Sequence, residues 1–126
     1  MMERTKFSVK ARAKSFVFAL SGIKYFFSTQ HNSWIQVAAA AAAVALGYFL
    51  KINSSEWCWV IFCIGSVFTA EIFNTAIEAL TDLVSPGKNE TAGRVKDLAA
   101  GGVLMVSITA AVIGCVIFGP KIISLF

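Results

Sequence analysis

The sequence predicts an all-α integral membrane protein in which an amphipathic surface helix precedes three transmembrane helices. Of its 126 residues, 57% are hydrophobic and only 14% are charged, and the mean hydropathy is +0.73. Soluble domains contain roughly 45–50% apolar and about 25% charged residues. The composition therefore excludes the water-soluble, disordered and collagen-like classes, and the length favours a single membrane domain over residues 1–126.

The first predicted element is an interfacial helix over about residues 6–30. At helical spacing its lysines fall on one side and apolar residues such as Phe16 and Leu20 fall on an adjacent side. Such a pattern is typical of a helix that lies in the surface of an anionic membrane. Within the first 24 residues, six basic residues stand against one acid, Glu3; they are Arg4, Lys6, Lys10, Arg12, Lys14 and Lys24.

Three long apolar segments follow and predict transmembrane helices over residues 34–51, 56–84 and 97–119. The uncharged part of the second segment, 57–70, would span only about 21 Å of a hydrocarbon core of roughly 30 Å. The second helix must therefore carry charge into the membrane, with Glu71 about 8 Å inside its boundary. An ionisable residue at this depth is a candidate functional group.

The distribution of basic residues predicts the orientation in the membrane. Lys88, Arg94 and Lys96 cluster between the second and third predicted crossings, whereas the preceding loop carries only Lys51. Cytosolic loops are enriched in lysine and arginine. We therefore expect a cytosolic amino terminus and second loop, and a carboxyl terminus on the outside.

A polar stripe on the second crossing is the candidate site. Its members fall within roughly 100° of one helix face; they are Glu71, Asn74, Thr75, Glu78 and Asp82. Because neighbouring carboxylates repel one another, a bound divalent cation with oxygen ligands would stabilise them, and magnesium fits better than zinc. The alternative is that the helix end lies in water, where Lys96 or Arg94 pairs with these acids.

Residues that could bind a phosphate group are predicted next to this stripe. Arg94, Lys96 and Asp97 are predicted at the start of the third crossing, where backbone N–H groups and the helix dipole favour an anion. Carboxylates that could bind a metal thus lie beside basic residues that could bind phosphate. This combination favours a magnesium nucleotide as the ligand. The chain contains no Walker A motif and no G-x-G-x-x-G motif, which excludes a P-loop or a protein-kinase nucleotide site.

Two segments carry a resemblance to a known family. Residues 71–78 read Glu-Ile-Phe-Asn-Thr-Ala-Ile-Glu, and residues 94–101 read Arg-Val-Lys-Asp-Leu-Ala-Ala-Gly. This pair resembles the signature of the prokaryotic diacylglycerol kinase family, which includes the undecaprenol kinases. The resemblance extends over nearly the whole chain.

The resemblance implies a lipid kinase of the bacterial cytoplasmic (inner) membrane with no nucleic-acid partner. The implied enzyme is a homotrimer that transfers the γ-phosphate of MgATP to a membrane lipid, either diacylglycerol, giving phosphatidic acid, or undecaprenol. By the same resemblance Glu71 is the general base and Glu78 a magnesium ligand. Asn74 is a polar positioning residue in the ATP site, and Lys96 with Asp97 contacts the nucleotide.

Two positions depart from the family pattern. Gln30 stands where many relatives carry a glutamate that serves as a second magnesium ligand; an amide oxygen can coordinate a hard cation but adds no charge. The loop reads Gly87-Lys88-Asn89-Glu90 in place of the usual stretch that contains a histidine. Lys88 is nevertheless suited to contact a phosphate of ATP.

Functions of other classes stay open at this point. A proton-coupled exporter would use Glu71 to exchange a proton for a cation, although three crossings and the Lys96–Asp97 pair argue against it. A catalytically silent subunit would use alanine-rich and glycine-rich helices only for packing. That hypothesis leaves the polar stripe unexplained.

Overall fold

The computed structural model describes residues 6–126, which form four α-helices and, within that range, no β-strand. The helices are α1 (Val9–Thr29), α2 (Asn32–Phe49), α3 (Ser54–Val84) and α4 (Glu90–Ile123). The all-α architecture predicted from the sequence is confirmed. Glu3 and Arg4 of the predicted basic cluster lie outside the described residues.

Side chains at the helix ends explain where α3 and α4 begin. The backbone N–H of Glu56 donates to Asn53 Oδ1 at 2.9 Å, and the Glu56 carboxylate accepts from the backbone N–H of Asn53 at 3.1 Å. At the start of α4, the backbone N–H of Ala92 donates to Asn89 Oδ1 at 3.0 Å. Each cap satisfies backbone N–H groups that have no partner within the helix.

The helices α2, α3 and α4 are each long and apolar enough to cross a membrane. With 31 and 34 residues, α3 and α4 are about 46 Å and about 51 Å long. The hydrocarbon core is roughly 30 Å thick. Both helices therefore continue beyond the hydrocarbon and carry polar residues at their ends.

The fourth helix extends past the predicted span, 97–119, at both ends. It begins at Glu90 because Asn89 caps it. It continues through Pro120 because the proline lies near the last turn, and the backbone N–H of Ser124 donates to the Pro120 carbonyl at 3.1 Å. The expectation that Lys96 and Asp97 stand at a helix N-terminus is therefore wrong, since the unpaired backbone N–H groups belong to the turn before them.

The helices α3 and α4 run antiparallel and are joined by an ion pair at each end. Lys121 Nζ lies 3.3 Å from Glu56 Oε1, and Lys96 Nζ lies 2.5 Å from Asp82 Oδ1. The two pairs are about 39 Å apart along α3. Because this distance exceeds the hydrocarbon thickness, the two ion pairs lie near opposite membrane surfaces.

The end of α2 packs closely against the start of α3 at Gly47. A β-carbon at this position would lie 2.9 Å from Ile52 Cδ1 and 2.9 Å from Trp57 Cη2. We expect Gly47→Ala to lower the melting temperature in detergent, because overpacking costs about 1–3 kcal/mol. The control is Gly22→Ala on α1, where no such neighbour lies within 4 Å. An equal or higher melting temperature for Gly47→Ala would contradict this packing.

Candidate functional site

Glu71 is the one charged side chain that is buried within residues 6–126, with 9% of its surface exposed. It lies on α3 and faces α2, where Gln36 Nε2 donates a hydrogen bond to Glu71 Oε1 at 3.3 Å. A carboxylate buried among apolar helices is costly unless a polar group accompanies it. The Gln36 amide supplies such a group.

The junction between α1 and α2 lies close to Glu71. The rings of Phe27 on α1 and Phe68 on α3 are 5.6 Å apart, and Phe68 precedes Glu71 by about one helical turn. Ser33, only 1% exposed, donates from its hydroxyl to the backbone carbonyl of Gln30. The carboxyl-terminal end of α1 therefore lies beside the buried carboxylate.

Asn74 presents an unsatisfied polar group on the same face of α3. Its Oδ1 atom is buried and has no hydrogen-bond partner within the described part of the chain. The hydroxyl of the neighbouring Thr75 is already used, since it donates to the Glu71 backbone carbonyl at 2.9 Å. Buried polar atoms are normally paired. The Asn74 side chain thus has bonding capacity that suits a substrate group or a cation.

Asp82 and Lys96 bring the ends of α3 and α4 together near the loop at residues 85–89. The hydrogen bond from Lys96 to Asp82 holds the pKa of the Lys96 amine above its usual range, and the Asp82 and Glu78 charges add to this shift. Lys96 lies outside the uncharged run of α4, 98–119. The two side chains are 38% and 64% exposed, so the pair adds little stability but keeps a cation next to Glu78.

An open hollow of about 550 Å³ lies at the loop. Lys88, Lys96, Asp82 and Asn89 line it, and both basic groups therefore face one space. Asp97 is exposed, and its carboxylate accepts no hydrogen bond from the residues described. Glu90 also lines the hollow, so its two lysines are balanced by two carboxylates, and it is Lys88 and Lys96 individually that could contact a phosphate.

The structure does not bring the predicted metal ligands, Glu78 and Gln30, together in one complete site. Within residues 6–126, no three His, Cys, Asp or Glu side chains converge to hold a metal ion. Glu78 is half-buried on the face that carries Asn74, whereas Gln30 caps α1 and its amide makes no hydrogen bond inside the described range. Magnesium commonly uses one or two carboxylates together with substrate phosphates. The unpaired Asn74 oxygen and the Glu78 carboxylate fit such a partial oxygen-donor set.

Gln36 is not among the site residues predicted from the sequence, although one signal was available. It is an amide within a long uncharged apolar run, 34–50. Polar side chains inside membrane spans usually face other helices and form hydrogen bonds there. The partner of Gln36 could not be inferred, because it depends on how α2 is rotated against α3.

Comparison with known proteins places these features in a family context. A model of the family "Prokaryotic diacylglycerol kinase" matches residues 17–118. The chain is 37% identical over 109 residues to an undecaprenol kinase of Bacillus subtilis, a match that covers 86% of this chain and 89% of the relative. It is 32% identical over 112 residues to a diacylglycerol kinase of Synechocystis sp., covering 88% of this chain and 64% of that relative. A diacylglycerol kinase of Escherichia coli K12 is 28% identical over 100 residues, which is 74% of this chain and 82% of that protein.

Proposed function

We propose that this chain, which belongs to the prokaryotic diacylglycerol kinase family, transfers the γ-phosphoryl group of ATP to the hydroxyl group of a membrane lipid. The chain is a multi-pass membrane protein and a lipid kinase by family. The observation that carries the mechanism is the buried carboxylate of Glu71, which lies on the face of α3 that leads to Lys96.

Glu71 is the proposed general base. Its depth in α3 suits a lipid hydroxyl group that approaches from the hydrocarbon side. In the reaction the lipid oxygen forms a bond to the γ-phosphorus, the bond between that phosphorus and the β,γ-bridging oxygen breaks, and the hydroxyl proton passes to the Glu71 carboxylate. ADP leaves as the second product.

Positive charge and oxygen donors nearer the loop bind the nucleotide in this proposal. Lys96 contacts the γ-phosphate, Lys88 contacts another phosphate, and Asp97 contributes a polar contact to the nucleotide. Asn74 positions the transferred group, and Glu78 is a ligand for magnesium, with Gln30 as a second candidate ligand. A bound magnesium ion supplies charge neutralisation of the phosphates.

The orientation and assembly follow from the same proposal. The amino terminus and the loop at residues 85–89 face the cytosol of a bacterium, where ATP is available, and the carboxyl terminus lies outside. Basic loop residues support this orientation. We propose a homotrimer, as the family resemblance implies.

The lipid acceptor is either diacylglycerol or undecaprenol. Diacylglycerol, giving phosphatidic acid, is the acceptor expected from the family as a whole. Undecaprenol is the alternative acceptor. It is supported by the similarity to a relative named undecaprenol kinase, at 37% identity over 86% of this chain. Both lipids present a hydroxyl group at the interface beside long apolar chains, so the same Glu71 chemistry serves either one.

A direct transfer assay tests the activity and the base. Purified protein, radiolabelled ATP and magnesium are combined with mixed micelles that contain diacylglycerol or undecaprenol. We expect label in at least one lipid, and we expect Glu71→Gln to lower kcat by about 100-fold or more, because general-base catalysis contributes about 10²–10⁴. Failure to label either lipid would overturn the proposed activity. Normal turnover by Glu71→Gln would show that Glu71 is not the general base.

A magnesium titration tests Glu78. We expect Glu78→Gln to raise the magnesium concentration for half-maximal rate by about tenfold or more, because the site loses a charged oxygen ligand. The KM for lipid should change little, since Glu78 does not contact the hydrocarbon chains. An unchanged titration midpoint would contradict the assignment.

Gln30 provides a matched comparison in the same titration. If its amide oxygen is a ligand, Gln30→Glu should lower the magnesium midpoint by adding charge, and Gln30→Leu should raise it. Equal midpoints for the wild type and both variants would remove Gln30 from the site.

Paired substitutions test whether Lys96 acts on the nucleotide or only on Asp82. We expect Lys96→Ala to lower kcat at saturating ATP by about 10–100-fold, because a cation near the transferred phosphate is lost. Asp82→Asn removes the ion pair but keeps the cation, so its effect should be much smaller. Equal effects of the two substitutions would show that Lys96 serves only as a structural partner.

A further inference from the structure

We infer that Gln36 is a positioning residue that holds the Glu71 carboxylate in the orientation needed to accept the lipid hydroxyl proton. This inference rests on the proposed function, because it takes Glu71 as the base. Gln36 itself has no contact with the reacting atoms in this proposal. It acts through one hydrogen bond, from Gln36 Nε2 to Glu71 Oε1 at 3.3 Å.

Within residues 6–126, the Glu71 carboxylate accepts no other side-chain hydrogen bond. Glu71 is 9% exposed, so little water is available to replace the amide donor. A hydrogen bond to one carboxylate oxygen restricts rotation of the side chain and leaves Oε2 free to accept a proton. A displacement of the base by about 1 Å can lower the reaction rate by about 10²-fold.

The surroundings of Gln36 are mostly apolar apart from this contact and Ser107. The amide lines a cavity of about 270 Å³ between α2, α3 and α4, together with Ala39, Ala40, Val67 and Phe68. A glutamine in such surroundings destabilises the fold unless its polar atoms are used. A purely structural position there would be better filled by an apolar side chain of similar size.

The segment that carries Gln36 is held in place from its amino-terminal side. Ser33, one turn earlier in α2, is 1% exposed and bonds to the Gln30 carbonyl. Phe27 of α1 packs on Phe68 of α3, next to Glu71. The amide therefore projects from a fixed backbone, and a fixed donor can orient a carboxylate.

The test compares Gln36→Met and Gln36→Glu with wild type in the lipid phosphorylation assay. Methionine keeps a similar volume but has no donor, and glutamate keeps the shape but replaces the donor with an acceptor. We expect both substitutions to lower kcat by about 10–100-fold, while the KM values for ATP and lipid stay within about twofold. The melting temperature of Gln36→Met should equal or exceed that of wild type.

Ser107→Ala is the matched control, because Ser107 lines the same cavity from α4. It should leave kcat unchanged. Normal kcat in Gln36→Met or Gln36→Glu would overturn the positioning role. A loss of kcat accompanied by a lower melting temperature in Gln36→Met, or an equal loss in Ser107→Ala, would assign Gln36 to cavity packing and also overturn it.

The same assays separate this inference from the proposed function. Absence of lipid labelling by the wild type overturns the kinase proposal, and full activity of Glu71→Gln overturns the base. When the wild type is active and Glu71→Gln is not, the kcat of the two Gln36 variants decides the inference alone.

Discussion

The absence of water from the hydrocarbon core is the constraint on which this structure depends. Every backbone polar group in that region must be paired within a helix, which explains why three long helices cross the membrane. The same constraint applies to side chains, so a polar group in a span must find a protein partner. Glu71 and Gln36 meet this requirement together, because Glu71 is buried, Gln36 lies in an apolar run of α2, and each pairs with the other.

The antiparallel pairing of α3 and α4 determines where the polar groups collect. Ion pairs join the two helices at both ends, Glu56 with Lys121 and Asp82 with Lys96. These contacts are weak individually. Their placement nevertheless corresponds to one register of α3 against α4, and in that register Lys96 lies beside the stripe that contains Glu78. A shift by one helical turn would move the cation about 5 Å along the stripe.

Much of the architecture could be predicted from the sequence, because charge is expensive in hydrocarbon and three uncharged runs are easily recognised. Helix ends were less predictable. Asn89 caps α4 well before its apolar run, and Pro120 lies inside the last turns of that helix, where it interrupts little hydrogen bonding.

The candidate site was predictable only within one helix. Helical spacing is enough to place Glu71, Asn74 and Glu78 on one face of α3. Contacts between helices require their relative rotation, which a periodic pattern does not contain. For this reason the Asp82–Lys96 pair was one of several open pairings, and the Gln36–Glu71 contact was not anticipated.

The order of groups along α3 matches the different environments of the two proposed substrates. Glu71 lies in apolar surroundings, whereas Asp82 lies about 16 Å further along the helix axis, at the exposed hollow with Lys88 and Lys96. Asn74 and Glu78 occupy the interval between them. In the proposed function, the lipid hydroxyl group therefore approaches Glu71 from the membrane, and the nucleotide approaches the basic residues from water. Because the reacting atoms must approach to about 3–3.5 Å, the proposed transfer requires the lipid hydroxyl group and the γ-phosphate to meet in the interval that Asn74 and Glu78 occupy.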